Sequence, residues 1–384
     1  MTMGHLSYTT AGESHGPALT AILEGLPAGM ALSLERIDGE LARRQGGYGR
    51  SGRMAIEHDR VEVTGGVRAG RTIGAPLALV VRNEDATIEA LPVPGNARPG
   101  HADLAGSQKF GVLDTRAVLE RASARETAIR VAIGAAARQL IEPLGVRVFG
   151  HVVELGGVVC APAALPGANV REELRGRSEF YALDASKDAE LRALVDEVRS
   201  EGDTLGGVFE VRVSGLLPGI GSHASGPERL TSRLAAALMS IPAMKGVEFG
   251  LGFEAARRRG SAVHDPIDRV ADPARTGGRF VRRTNNAGGL EGGMTTGEEL
   301  VVRVAMKPIS TLRRGLDTVD FASGETVRAT YQRSDVTAVP AASVVGEALV
   351  AFTLAAGYRE KFGGDSFEQF EAAVEFYRAQ LGSL

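Results

Sequence analysis

Residues 128–141 combine alanine, glycine, isoleucine and valine so densely that few helical surfaces could accommodate them. The small residues Ala128, Ala132, Ala135 and Ala136 recur at spacings of three and four and fall along one helical face. Such a face predicts a helix packed closely against a sheet or another helix, and Pro143 and Gly145 stop it. The run is preceded by Arg121-Ala-Ser123-Ala-Arg125-Glu126-Thr127. Ser123 and Glu126 have capping-box spacing, so the hydroxyl is expected to accept from the N–H three residues on while Glu126 reaches back. Free N–H groups flanked by Arg121 and Arg125 make that helix start an anion site.

Around this helix the chain reads as alternating strands and helices. Strands are expected at 5–11, 61–64, 76–82, 146–155, 206–214, 244–252 and 299–306, and residues 18–24 are strand or helix. Helices are expected at 33–45, with Ser33 as N-cap, and at 230–240, 341–357 and 367–381. Residues 45–53 and 257–278 read as loops. Charged residues crowd 171–201, so 162–203 is expected to be a peripheral insertion. The stretch 290–308 echoes 205–218, and each is followed by an apolar helix, which implies two related strand-and-helix halves. No Pro/Ser-rich linker divides the chain, so residues 1–384 are expected to form one large α/β domain. The 50 glycines are scattered through these segments, where they permit unusual dihedrals and close backbone approach.

Charge and composition exclude several functions. With 44 basic and 47 acidic residues the chain has no footprint for general nucleic-acid binding or a polybasic membrane anchor. Tryptophan is absent, so base-stacking platforms are not expected. The single cysteine, Cys160, excludes an internal disulfide framework and suits a reducing compartment. Residues 1–30 show no basic segment followed by an apolar core, and a cytoplasmic location is expected.

Two histidines stand apart from the other five. His15 and His101 each sit in a glycine-flanked turn, beside Ser14 and Asp103 respectively, where two imidazoles could act as separate acids toward one substrate. HxxxH and HExxH spacings are absent, so no metal site is expected. Arg44, Arg50, Arg98, Arg121, Arg125, Lys307 and Arg333 lie close to Gly, Pro or Ser rather than in a salt-bridge ladder. On a net-negative chain they point to a small polyanionic ligand. Residues 285–293 and 307–311 could wrap a phosphate-bearing cofactor, although neither is a Walker A or Rossmann fingerprint. Asp335 reads either as a helix cap or as a carboxylate base.

Six segments in order carry a more specific signal: Gly12-Glu-Ser-His15-Gly, Gln45-Gly-Gly-Tyr-Gly-Arg50, Arg98-Pro-Gly-His101-Ala-Asp103, Arg121 to Thr127, Asn286-Ala-Gly-Gly, and Arg333-Ser-Asp335-Val-Thr-Ala-Val-Pro-Ala-Ala342. Together they resemble chorismate synthases. That resemblance implies a β-α-β sandwich, a homotetramer, and conversion of 5-enolpyruvylshikimate 3-phosphate to chorismate with reduced FMN. By the same resemblance His15 would protonate the leaving phosphate, His101 would protonate the flavin, and Asp335 would assist loss of the C6 proton through flavin N5. Ser14 and Ser123 would serve the relay. Arg44, Arg50, Arg98, Arg125 and Arg333 would hold the substrate. Arg121, Ala122, Ser123, Pro242, Ala243, Gly292, Lys307, Pro308, Ile309, Ser310, Thr311 and Arg333 would contact the flavin. Arg44 and Arg50 are also the positions implied for NADP. NADPH would be an indirect reductant, acting through an external flavin reductase; the alternative is an NADPH-dependent flavin oxidoreductase. Ser51, Thr337 and Pro242 depart from residues frequent in the family, and Pro242 offers only its carbonyl to a flavin.

Overall fold

Alternation shapes the first layer. In strand Ala18–Glu24 the inward positions are Leu19, Ala21 and Leu23, and in strand Leu77–Arg82 they are Leu77, Leu79 and Val81, all buried. The computed structural model describes residues 5–50, 58–270, 280–331 and 334–383. These two strands form the centre of a four-stranded antiparallel sheet, flanked by Ser7–Ala11 and Val61–Gly65. A second antiparallel sheet runs in the order Met244–Phe249, Leu300–Met306, Gly207–Ser214, Arg147–Leu155, Val158–Val159.

The helices are α1 (Leu34–Gln45), α2 (Asp103–Phe110), α3 (Arg116–Arg121), α4 (Thr127–Ile141), α5 (Arg171–Gly176), α6 (Asp188–Glu201), α7 (Leu230–Met239), α8 (Val339–Phe362) and α9 (Phe367–Ser383). Helix α4 lies on the first sheet, α8 on the second, and the two pack against each other between them. Helix α1 leans on both, and α7 fills the space between α8 and strand Met244–Phe249. The result is a sandwich with helices as its filling.

The small-residue face of α4 is what allows this packing. A Cβ on Gly134 would stand 2.3 Å from the Ala348 carbonyl oxygen of α8, so the two backbones touch where a side chain cannot fit. Every residue of α4 except Arg138 is buried, the polar Thr127, Arg130 and Gln139 included, so the helix is enclosed on all sides. Helix α8 is long and apolar enough to cross a bilayer, but 94% of its apolar window is buried inside the protein, where it serves as the central core helix.

One carboxylate stitches this core together. Glu347 of α8 is buried among Arg43 of α1 at 2.9 Å, Arg138 of α4 at 2.6 Å and Arg175 of α5 at 3.2 Å. It also accepts from the Gly150 N–H of the second sheet at 2.9 Å. Burial pushes its carboxyl up, but the three arginines outweigh that and hold it down at about 2.

The structure corrects one expectation. Residues 162–203 are not peripheral: Phe180, Leu191 and Val195 are fully buried, and Arg175 reaches Glu347. Much of the charge that marked this segment as an insertion lies on the exposed faces of α5 and α6, while Arg171 and Arg175 of α5 turn inward and are buried. The strands Gly207–Ser214 and Leu300–Met306, read as equivalent parts of two halves, pair directly with each other in the second sheet. Helices α2 and α3 occupy a region with no helical period in the sequence.

Two outcomes follow. Gly134→Ala should destabilise the fold by about 1–3 kcal/mol in denaturant titration, because overpacking against Ala348 outweighs the better helix propensity; a higher midpoint would contradict the close approach. The Glu347 carboxyl lies below its unfolded value. Its contribution is therefore present above about pH 4.5 and lost as pH falls toward about 2. Glu347→Gln should flatten this acid limb of stability; an unchanged limb would show that other carboxylates set it.

Candidate active site

The N-terminal ends of α4 and α8 open on the same cavity. Thr127 lines it from α4, and Ala338, Ala341 and Ala342 from α8. The cavity holds about 700 Å³, within the usual range for small-molecule sites. Two helix N-termini aimed at one space favour an anion there. The capping box is only partly formed. Ser123 accepts from Arg125 N–H, two residues on, at 3.3 Å, while Glu126 accepts from the Thr10 hydroxyl instead of reaching back. A single 3-10 turn precedes α4, and this shifts the cap geometry by one residue.

The turn after strand Ser7–Ala11 delivers His15. Its Nδ1 lies 2.9 Å from Glu120 Oε2 on α3, and its backbone N–H donates to the same oxygen at 2.9 Å. Glu120 is buried, and Arg116 donates to its other oxygen at 3.1 Å. Burial pushes the Glu120 carboxyl up, but hydrogen bonds from His15 and Arg116 hold it below the usual carboxylate range. Asp85 lies 3.8 Å from the other ring nitrogen of His15.

His101 also faces a carboxylate. Its Nδ1 stands 2.5 Å from Asp103 Oδ1, at the start of α2, with Arg98 Nη2 standing 3.0 Å from the same ring nitrogen. Arg98 donates to the other Asp103 oxygen from both Nε, at 2.9 Å, and its backbone N–H. Burial would raise the Asp103 carboxyl, yet bonds from His101 and Arg98 drive it far down. Arg98 also donates to the Thr311 hydroxyl at 3.0 Å, tying the His101 turn to the 307–311 segment.

Asp59 binds two of the expected substrate arginines. Arg125 lies 2.6 Å from Oδ1, and Arg44 is 3.5 Å from Oδ2. Arg125 also donates to Asn83 at 2.8 Å, and Arg44 to Thr127 Oγ1 at 3.0 Å and Ala124 O at 3.0 Å. Burial and the neighbouring Arg125 and Arg50 lower the Arg44 guanidinium to about 10, with Asp59 opposing them. Arg50 pairs with Asp335 at 2.7 Å. Asp335 is not a helix cap, because α8 begins after Ala338 with no side-chain cap.

Ser14, His15, Arg44, Arg50, Arg98, His101, Ala122, Ser123, Arg125, Pro242, Ala243, Lys307, Ile309, Ser310, Thr311 and Asp335 all line this cavity. Ala243 adopts a left-handed conformation at φ 72°, a strained state that persists where surroundings enforce it. Arg121, Gly292 and Pro308 do not line the cavity. Arg121 braces the His15 turn, donating to Gly12 O at 3.0 Å and to Thr10 Oγ1 at 2.9 Å. Gly292 belongs to the hairpin whose Gly293 carbonyl accepts from Leu230 at the start of α7. Residues 241–243, after the end of α7, line the cavity, whereas the hairpin meets α7 at its opposite end. Arg333 lies outside the described residues, as do Ser51 and Arg53. Among the described residues no cluster of His, Cys, Asp and Glu could hold a metal ion.

Residues that sequence reasoning missed are Asp59, Asp85, Glu120 and Lys245. Asp85 and Lys245 line the cavity, while Asp59 and Glu120 stand behind lining residues. Only Glu120 carried a local signal, its i,i+4 spacing from Arg116.

This arrangement defines a class: an α/β enzyme with a deep, arginine-walled cavity and two carboxylate-backed histidines. The family model for chorismate synthase matches residues 6–358. The chorismate synthase of Trichlorobacter lovleyi is 52% identical, covering 98% of this chain and 99% of that relative. One from Thermus thermophilus is also 52% identical, covering 98% and 99%. A solved structure, "Crystal Structure of Chorismate Synthase", superposes with a TM-score of 0.81 at 41% identity over 100% of both chains. The chain belongs to the chorismate synthase family, carbon–oxygen lyases of the shikimate pathway that act on a small phosphorylated molecule.

Asp59→Ala should leave Arg44 and Arg125 buried without their shared counter-charge and cost about 3–5 kcal/mol in chemical denaturation. An unchanged unfolding midpoint would contradict the role given to Asp59.

Proposed function

We propose that the chain converts 5-enolpyruvylshikimate 3-phosphate to chorismate and phosphate by 1,4-anti elimination, with reduced FMN bound in the cavity described above. The observation that carries the reading is the convergence of His15, His101, Asp335 and the arginines on one cavity from segments far apart in sequence. The substrate carries a phosphate and two carboxylates. Arg50, Arg98, Lys245 and Lys307 line the cavity beside the Asp59-bound arginines, so several cations can share that load.

The cavity also suits a flavin. Ile241, Met244, Met306, Ile309 and Val345 offer apolar wall, and Lys307, Ser310 and Thr311 gather polar groups at one edge. A Cβ on Gly100 would come within 3.3 Å of Lys307 Nζ, so glycine there lets the lysine lie against the His101 turn and donate to the Gly100 carbonyl. Ala122, Ser123, Pro242, Ala243, Lys307, Ile309, Ser310 and Thr311 would hold the cofactor beside His101, and Arg333 belongs to the set carried over from the family. When bound, reduced FMN supplies electron density that no side chain can.

The chain's own residues do the rest. As the C3–O bond to phosphate breaks, His15 gives a proton to the leaving oxygen, its Nδ1 held by Glu120. Ser14 lies next to this donor in the turn. At the far end Asp335, paired with Arg50, assists loss of the C6 proton. His101, aligned by Asp103, keeps a proton at the cofactor side, with Ser123 nearby on the same wall. Arg44 and Arg50 share the substrate cavity, which supports assigning them to substrate rather than to a separate NADP site. Reduced flavin would come from a separate reductase drawing on NADPH, and the assembly would be a cytoplasmic homotetramer.

Anaerobic assay with the enolpyruvyl substrate should give chorismate with reduced FMN and none without flavin; turnover without flavin would overturn the reading. Bleaching of FMN by NADPH alone would favour an oxidoreductase. His101→Ala should lower turnover about 10²-fold or more without changing the circular dichroism spectrum; an unaltered rate would remove His101 from the chemistry.

A further inference from the structure

Behind each cavity histidine stands a buried carboxylate, and the one behind His15 lies outside every segment that signalled function. Glu120 is 1% exposed, projects from the short helix α3, and takes three contacts on its two oxygens. Oε2 accepts from the His15 backbone N–H at 2.9 Å and faces His15 Nδ1 at 2.9 Å. Oε1 accepts from Arg116 at 3.1 Å. The Glu120 carbonyl accepts from Ser14 N–H at 3.1 Å, so one residue holds the successive backbone N–H groups of Ser14 and His15.

We propose that Glu120 is the positioning residue for His15: it holds the imidazole with its proton on Nδ1, turns Nε2 to the cavity, and stabilises the positively charged ring that a proton donor must carry. This rests on the role given to His15 above. A buried carboxylate that accepts from one ring nitrogen fixes which nitrogen is left to react and strengthens the ring's hold on its second proton. A neutral amide can accept the same bond but contributes no charge. Arg116 completes the device by occupying the second carboxylate oxygen, which keeps the carboxyl from rotating.

The charges facing His15 come from several elements. Glu120 approaches from α3, with Arg116 behind it, and Asp85 approaches Nε2 at 3.8 Å from the loop after strand Leu77–Arg82. Arg44, Arg50 and Arg125 line the same cavity. Of these, only Glu120 combines burial with a hydrogen bond to the ring. Asp85 is 41% exposed at its side chain and stands beyond hydrogen-bond distance, where solvent weakens it.

The test uses the full chain with nitrogen-15-labelled histidine, with His15→Ala to assign the His15 signals. In the unsubstituted protein at alkaline pH, the neutral His15 ring should carry its proton on Nδ1. In Glu120→Gln, turnover of the enolpyruvyl substrate with reduced FMN at pH 8 should fall about 10–100-fold, as removal of such a support does elsewhere. The alkaline limb of its pH profile should move down by about one unit, so that part of the activity returns near pH 6. Glu120→Asp should restore part of the loss. A neutral His15 proton on Nε2 in the unsubstituted protein would overturn the proposal, and this spectrum decides it even if Glu120→Gln fails to fold. A folded Glu120→Gln with the parent pH profile would overturn it as well. His15→Ala distinguishes the two readings: full activity there refutes the role of His15 itself, whereas loss of activity there with an unaffected Glu120→Gln refutes only the role of Glu120.

Discussion

The contact between α4 and α8 at Gly134 and Ala348 is the constraint on which the structure depends. Two helices that touch backbone to backbone cannot slide or rotate independently. Their N-termini are therefore fixed relative to each other, and both end at the cavity. Each carries its own chemistry to that point. Ser123 and Arg125 precede α4, while Asp335 precedes α8. The two sheets shield the helix pair on either side, and Glu347, drawn down by three arginines, locks α1, α4, α5 and the second sheet to α8.

Charge in the cavity follows one pattern. Most cationic or ring groups that face the ligand space are backed by a carboxylate on the protein side: His15 by Glu120, His101 and Arg98 by Asp103, and Arg44 and Arg125 by Asp59, while Arg50 pairs with Asp335 inside the cavity and Lys307 donates to the Gly100 carbonyl. Unbacked, a cluster of buried cations would repel itself and lose hydration with nothing in return. The backing carboxylates let positive groups gather at high density in a protein whose net charge is −3. They also hold each group in a set orientation, so an anionic ligand meets a preformed frame.

Much of the frame could be read from the chain. The small-residue helix, the alternating strands and the glycine-flanked histidines all follow local rules that leave a mark in sequence. The six ordered segments also carried the family, and most of the residues named through them reach one cavity. The carboxylates did not show themselves. Asp59 and Glu120 act on partners 66 and 105 residues away; nothing around Asp59 distinguishes it from a surface acid, and the i,i+4 arginine before Glu120 marks only an ordinary helix pair. The helices α2 and α3 are too short to show a period. Charge misled in 162–203, because a segment can be acidic and basic outside while Phe180 and Leu191 are in the core. Gly292 shows the opposite limit, a position carried over from the family that sits on a hairpin away from the cavity.

The central claim is that one cavity between the α4 and α8 N-termini holds flavin and substrate together, with the two histidines at different ligands. A crystal structure of the ternary complex with FMN and the enolpyruvyl substrate tests it most directly. The account predicts the substrate phosphate within hydrogen-bond reach of His15 Nε2 and the flavin ring system within reach of His101. Ligand density at the Gly292 hairpin instead, or both histidines on the same ligand, would contradict it.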